Sequence, residues 1–512
     1  MRRLLLTVAA TFAFAPAAHG ATGTFGLTSA PDFVDPALSY TVEGWSVLYA
    51  THTGLLAHAH EPGDAGTALV PGAAEALPEV SEDGLTYTLR LREGLRYSNG
   101  REVRARDFEH AIKRVLNLRS GGAPFFLVIR GAGAYLRRGR ERGDVSGIVA
   151  DDAARTVRIT LKRRDGSFPN LLATPFAALV PPGTPFRNLT RRPPPGVGPY
   201  RIARSGRRGL VLRRNEHFAI PGFPQAALDA IAVRYRARHG SVDVHIDPPP
   251  RRLRTGDRYV ERDSLSSYYF FLDHRQRPFR NPDVRRAVNL AVDKRAVRRA
   301  FGGLFTPGCT FLPPGIPGYQ ARECPYGDPN GAPQVERARE LVRAAGAAGA
   351  GVRVYGNRER TSLSLARILT RTLRSIGLRP RLRIVPTASY FTVVGNRRTR
   401  AHAGIFNWFA DYVHPANFLF LVDGDTIQPT NNQNVGNVDD PELNALVDRV
   451  KESPVQSVAE PAAAADRRIV DEAHVVPLGY RRLALLFSAR VPPQCRTEHL
   501  VYGVDLARLC VA

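Results

Sequence analysis

Lysine is almost missing from this 512-residue chain. Of 72 basic residues only Lys113, Lys162, Lys294 and Lys451 are lysine, leaving 68 arginines against 47 acids and a formal net charge of +25. Arginine in near-total place of lysine, beside abundant Ala, Gly and Pro, reads as a GC-rich coding bias as much as a selected surface. The charge alone is therefore no argument for nucleic acid, although it predicts weak, salt-sensitive attraction to anionic polymers or lipid. Long apolar runs are missing too. Mean hydropathy is −0.23, and beyond the N-terminus no stretch has the length of a membrane helix, which excludes a polytopic membrane protein. Enzyme signatures are equally scarce. No Gly-Lys pair exists, so the helicase-like tetrapeptide Asp471-Glu472-Ala473-His474 has no phosphate loop to work with. G-x-S-x-G and H-E-x-x-H are absent, and the 13 histidines are scattered. The sequence therefore offers no catalytic residue, no metal set and no cofactor motif; the expectation is a protein that is not an enzyme.

Cysteines are few: Cys309, Cys324, Cys495 and Cys510. They allow three pairings, and the two close pairs point to Cys309–Cys324 and Cys495–Cys510. Each would close a loop of about 15 residues in an oxidising compartment. No CxxC or Cys/His spacing supports a metal site instead. The start of the chain agrees with export. Residues 1–20, MRRLLLTVAATFAFAPAAHG, combine Arg2 and Arg3 with an apolar run and the small-x-small triplet Ala18-His19-Gly20, the pattern of a signal peptide. No Cys follows, so a lipid-anchor signal is absent. The expected location is exported, periplasmic or extracellular.

What is present is alternation of strands and helices. Leu85, Tyr87, Leu89 and Leu91 alternate with polar residues, as in a half-buried strand, and Asn99-Gly100 marks a tight turn. Phe108, Ala111, Ile112, Val115 and Leu116 form one helical face, with Asp107 in the first turn. Asn281 followed by Pro282 caps a helix whose buried stripe is Val284, Ala287, Val288, Ala291 and Val292. Leu365, Ile368, Leu369, Thr372 and Ile376 line another, stopped at Gly377. Strand–helix alternation at this length predicts an α/β protein with mixed sheets and more than one core.

One stretch resists such patterning. FNWFADYVHPANFLF, from Phe406 to Phe420, sets Asp411 among an indole, a phenol and four phenylalanines, with no clean helical or strand period. A lone acid in aromatic surroundings is a satisfied core group, a catalytic acid or the anchor for a cation.

The order of segments FVDPALS, LPEVSEDGLTYTLRLREGLRYSNGREVRARDFEHAIKRVL, GVGPYRIARS, FRNPDVRRAVNLAVDKRAV, WFADYVHPANFLF and DDPELNALVDRV resembles the family-5 extracellular solute-binding proteins of ABC importers, the oligopeptide, dipeptide and nickel type. The resemblance covers about residues 24 to 505. It implies a periplasmic-binding-protein-like two-lobe fold of type II with an extra domain and a cleft between the lobes. Domain I would be 21–50, 172–268 and 482–512, domain II 51–171 and domain III 269–481, with the hinge near Ser267 and Tyr480. It implies a monomeric receptor that captures a small peptide and hands it to ABC permease subunits in the membrane, with no nucleic acid involved. In peptide-binding members the acid of W-x-x-D pairs with the peptide α-ammonium; here Trp408 to Asp411 match. Asn407, Tyr412 and Asn432 flank the motif, and Phe125 falls in a loop that lines the cleft in the family. Some members carry an arginine three residues before the tryptophan for the ligand carboxylate; Ile405 stands there, so that partner is unassigned. The same receptor class with a metal chelate, sugar or opine as ligand is the alternative, followed by a secreted polyanion-binding protein.

Overall fold

A computed structural model describes residues 21–138, 143–238, 240–248 and 254–512. The signal-peptide expectation over 1–20 lies outside the described residues. The architecture is mixed α/β with two lobes sharing one twelve-stranded sheet. In one lobe Thr22–Leu27 runs parallel to Ala230–Tyr235 and Val244–Ile246. In the other, Ala403–Phe409 pairs antiparallel with Ser266–Leu272 and parallel with Gly351–Asn357.

The join is a single strand, Val475–Phe487. Its first part pairs with Ser266–Leu272 and Phe305–Pro307, its second with Arg258–Asp263 and Val244–Ile246. Gly479 is where pairing with Ser266–Leu272 ends and pairing with Phe305–Pro307 begins. Its φ is +135°, and a Cβ there would lie 2.1 Å from the Thr306 carbonyl oxygen, so only glycine fits. A strand shared in this way makes the strands of both lobes one continuous sheet.

A separate antiparallel sheet runs in the order Glu79–Val80, Thr86–Arg90, Thr156–Thr160, Ile148–Asp151. Tyr87 and Leu89 from it share one apolar cluster with Phe108, Ile112, Val115 and Leu116 of the helix Arg106–Asn117. Each such side chain contributes about 1.5–3 kcal/mol of transfer free energy, enough to hold this small sheet to its helix. The Pro282–Ala291 helix begins as expected, Asn281 Oδ1 accepting the Asp283 N–H at 2.9 Å. The Arg360–Ser375 helix stops before Gly377 at φ +90°.

Phe406–Phe420 is more regular than its composition implies. Its start is the end of the strand Ala403–Phe409, and after a turn Ala416–Leu419 forms one helical turn. The strand lies between two neighbours and is packed on both faces, so its residues do not alternate in polarity and the usual period disappears.

Both disulfides form as the spacing indicates, with Cα–Cα distances of 5.7 Å for Cys309–Cys324 and 5.4 Å for Cys495–Cys510. Each links positions 15 apart. Replacing Cys309 and Cys324 together by Ser is expected to cost about 3 kcal/mol through the freed loop of the unfolded chain. A thermal midpoint lower than that of the oxidised parent, both measured without reductant so that Cys495–Cys510 stays closed, checks this.

Candidate functional site

Three cavities adjoin where the lobes meet. The first, of about 520 Å³, is walled by Tyr40 from one lobe and by Phe391, Asn407, Trp408 and Asp411 from the other. The second, of about 510 Å³, shares Tyr40 and Phe409 with the first and adds Glu43, Asp247, Arg262 and Arg481. The third, of about 440 Å³, shares Phe391 and Asn407 with the first and Arg481 with the second. Shared walls make them branches of one cleft. Volumes in this range suit a small organic ligand held between domains.

Asp411 sits in the turn that leaves the strand Ala403–Phe409 and is 7% exposed. Its backbone N–H donates to Asn417 Oδ1 at 2.8 Å, and the Asn417 amide returns a bond to Asp411 Oδ2 at 3.0 Å. Trp408 Nε1 donates to the same Asn417 oxygen at 3.2 Å, which ties the indole and the acid to one amide. The Tyr40 hydroxyl, from the opposite lobe, donates to Asp411 Oδ2 at 3.2 Å. No arginine or lysine pairs with this carboxyl among the described residues. Burial raises its pKa to about 7, and the bonds from Asn417 and Tyr40 offset only part of that. A carboxyl facing a cavity without a counter-ion can accept a positively charged guest, and the guest then supplies the missing charge.

The expected site residues divide into those on the cavity wall and those behind it. Asn407, Trp408, Asp411 and Asn432 line the first cavity. Asn432 spends its amide on the loop itself, donating to the Asn434 carbonyl at 2.7 Å and accepting from the Gln428 N–H at 3.2 Å. Its side chain braces the wall. Phe125 and Tyr412, expected at the ligand, are not among the residues lining that cavity. They meet edge to face at 6.1 Å, and Phe125 meets Tyr40 in the same way at 6.3 Å. They form an aromatic backing that fixes the Tyr40 ring. Sequence reasoning missed Tyr40, Asn417, Asp247 and Arg481. Asn417 lies within the aromatic stretch itself and Tyr40 directly after FVDPALS, so position near a motif was the only available signal. The two charged residues carried none. Among the described residues no three or more His, Cys, Asp or Glu are grouped to hold a metal ion. No helix there is long and apolar enough to cross a membrane.

Similarity to known proteins bears on the same cleft. The glutathione-binding protein GsiB of Escherichia coli (strain K12) is 30% identical over 286 residues, covering 52% of this chain and 51% of GsiB. The chain thus spans about half the length of the curated relatives it matches. Among solved structures, the "Clavulanic acid biosynthesis oligopeptide binding protein 2" superposes with a TM-score of 0.84 at 25% identity, over 96% of both chains. The periplasmic binding protein DppA from Helicobacter pylori, in complex with peptide STSA, superposes with a TM-score of 0.72 at 20% identity, over 96% of this chain and 97% of that one. The two solved structures share this fold. The model for bacterial extracellular solute-binding proteins, family 5 Middle, matches residues 68–429, from the small sheet through the shared sheet to the loop beyond Asp411. With that span, that fold and a cleft between its lobes, the chain belongs to the family-5 bacterial extracellular solute-binding proteins.

Proposed function

We infer that the protein is the extracytoplasmic receptor of an ABC importer and captures small peptides by their α-ammonium group. The observation that carries this reading is the Asp411 carboxyl, buried, facing a cavity and lacking a counter-ion among the described residues. An ammonium entering the cavity replaces water with a fixed negative partner, and the Trp408 and Phe409 rings exclude solvent and favour a cation near their faces. Hydrogen bonds to the peptide backbone and hydrated side-chain chambers supply the rest of the affinity without selecting one sequence.

Lobe closure is the mechanism. The lobes would be domain I (21–50, 172–268 and 482–512) with domain II (51–171), and domain III (269–481). Tyr40 and Asp411 belong to different lobes under this division, so a ligand at Asp411 touches both and shifts the open–closed equilibrium. The permease then reads the closed form. The receptor acts as a monomer, and no chemistry is performed on the ligand.

The test uses a synthetic pool of random di-, tri-, tetra- and pentapeptides, prepared with free and with acetylated N-termini. Native mass spectrometry and calorimetry should show the free-amine pool bound and acetylation lowering affinity about 100-fold. Equal binding of the acetylated pool, or binding of neither, overturns the peptide reading.

A further inference from the structure

The geometry points to Arg481 as the residue that receives the carboxylate end of the ligand, which narrows the substrate class to short peptides with a free C-terminus. This rests on the peptide reading above and fills the place that Ile405 leaves open. Among the described arginines only Arg262 and Arg481 line the three cavities. Both terminal nitrogens of Arg262 are already spent. Its Nη1 donates to the Leu500 carbonyl at 3.2 Å and its Nη2 to the His499 carbonyl at 2.6 Å, and burial lowers its pKa to about 10. Such a group binds its own chain.

Arg481 is arranged differently. Its side chain is 34% exposed, facing the second and third cavities. One nitrogen, Nη2, pairs with Asp247 Oδ2, while Nε and Nη1 donate to no protein group among the described residues. Asp247 is itself fixed, its Oδ1 accepting the Ala484 N–H at 3.2 Å. The guanidinium carbon also stands 6.0 Å from the centre of the Phe409 ring. The Arg481 backbone is clamped as well: its N–H donates to Ser266 Oγ at 3.1 Å and its carbonyl accepts the Ser264 N–H at 2.9 Å.

These contacts place a planar donor fork at the shared strand, oriented by an acid from one lobe and a ring from the other. Arginine donors left over from such a pair match a carboxylate in both shape and charge. The route is open at both ends. A chain leaving Asp411 past Phe409 enters the second cavity, one leaving past Asn407 enters the third, and Arg481 lies on the wall of each. Distance between two fixed anchors then restricts peptide length, because each extended residue spans at most about 3.3–3.6 Å.

The experiment compares the free-amine peptide pool with the same pool made as C-terminal amides, on the wild type and on Arg481→Gln and Arg481→Lys. In the wild type, amidation should weaken binding by about 10- to 100-fold, the range for hydrogen bonds to a charged group. In Arg481→Gln the free acids should lose that factor and the amides should not, so the acid-to-amide ratio falls to near one. Arg481→Lys should keep part of the ratio. Because the ratio is taken within each variant, general destabilisation cancels. A wild-type ratio near one, or a full ratio retained in Arg481→Gln, overturns the assignment. If acetylated and free-amine pools bind alike, the peptide reading has failed instead, and the assignment falls with it.

Discussion

Asp411→Asn is expected to weaken binding of amine-bearing peptides by about 100-fold or more while making the empty protein more stable above neutral pH. Both effects follow from one carboxyl. Removing the charge from a desolvated ion pair leaves the ligand ammonium buried without a partner, a loss of about 2–5 kcal/mol. In the empty protein the same charge is a burden. Burial raises the folded pKa of Asp411 to about 7 from an ordinary 3.8. A folded-state pKa raised in this way gives stability that is complete below the unfolded value and is lost as pH rises through the folded one. By pH 8 the cost is on the order of 4 kcal/mol, and Asn avoids it. The Asn oxygen still accepts from Tyr40 and Asn417, so the substitution changes charge more than shape. Asp466, accepting the Phe311 and Leu312 N–H groups at 2.7 Å and also raised to about 7, titrates in the same window. The variant must therefore be compared with the wild type across pH rather than read alone. Capture of an ammonium pulls the Asp411 proton off below about pH 7, so affinity falls on acidification by up to about tenfold per unit. Calorimetry in buffers of different ionisation heat should show proton release by the wild type on the acid side and none by Asp411→Asn. A variant with parental affinity, or a wild type whose binding ignores pH between about 5 and 8, removes Asp411 from the role of anchor.

The elements that were legible in the sequence are those whose signal is local. The helix Arg106–Asn117 announces itself because Phe108, Ile112 and Val115 recur at helical spacing. The Arg360–Ser375 helix does so through the Leu365–Ile376 stripe and the glycine stop. Asp411 was legible because a lone acid among aromatics violates the composition around it. Its supports were not. Tyr40 reaches it across 371 positions of chain, and no spacing rule spans such a loop. Asn417 looks no different from Asn407 or Asn432 until folding shows which amide meets the carboxyl. Phe125 and Tyr412 have the same aromatic character whether they face the cavity or stand behind Tyr40. With 68 arginines, sequence offers no ranking among them. What marks Arg114 is that it and its acid are both fully buried, and what marks Arg481 is its place on the cavity walls; both features depend on segments far apart in the chain.

Arg114 leads to the second large effect. Its guanidinium and the Asp35 carboxylate are both fully buried and meet as a fork, Nη1 to Oδ1 at 3.0 Å and Nη2 to Oδ2 at 2.9 Å. Arg114 Nε also donates to the Pro185 carbonyl at 3.1 Å, and Asp35 Oδ2 accepts the Leu189 N–H at 2.9 Å. The helix Arg106–Asn117 is thus fastened to the segment that leads into Val42–Thr51. Arg114→Met leaves Asp35 charged and unpaired in the interior, at an expected cost of about 3–5 kcal/mol. Adding Asp35→Leu should recover much of that loss, because the penalty belongs to the orphaned charge rather than to the missing bond. Denaturation followed by tryptophan fluorescence reads both lobes, with Trp45 beside this segment and Trp408 at the cleft. A single variant losing less than about 1 kcal/mol, or a double variant as unstable as the sum of its parts, refutes the account. The effect should also reach the site. The Asp35 carbonyl accepts the Leu38 and Ser39 N–H groups at 3.0 Å each, and the Ser39 carbonyl accepts Trp45 Nε1 at 2.8 Å. That turn delivers Tyr40 to Asp411. Loosening it in Arg114→Met should weaken peptide binding by less than Asp411→Asn does and leave proton release on binding intact, since the carboxyl that titrates is still present.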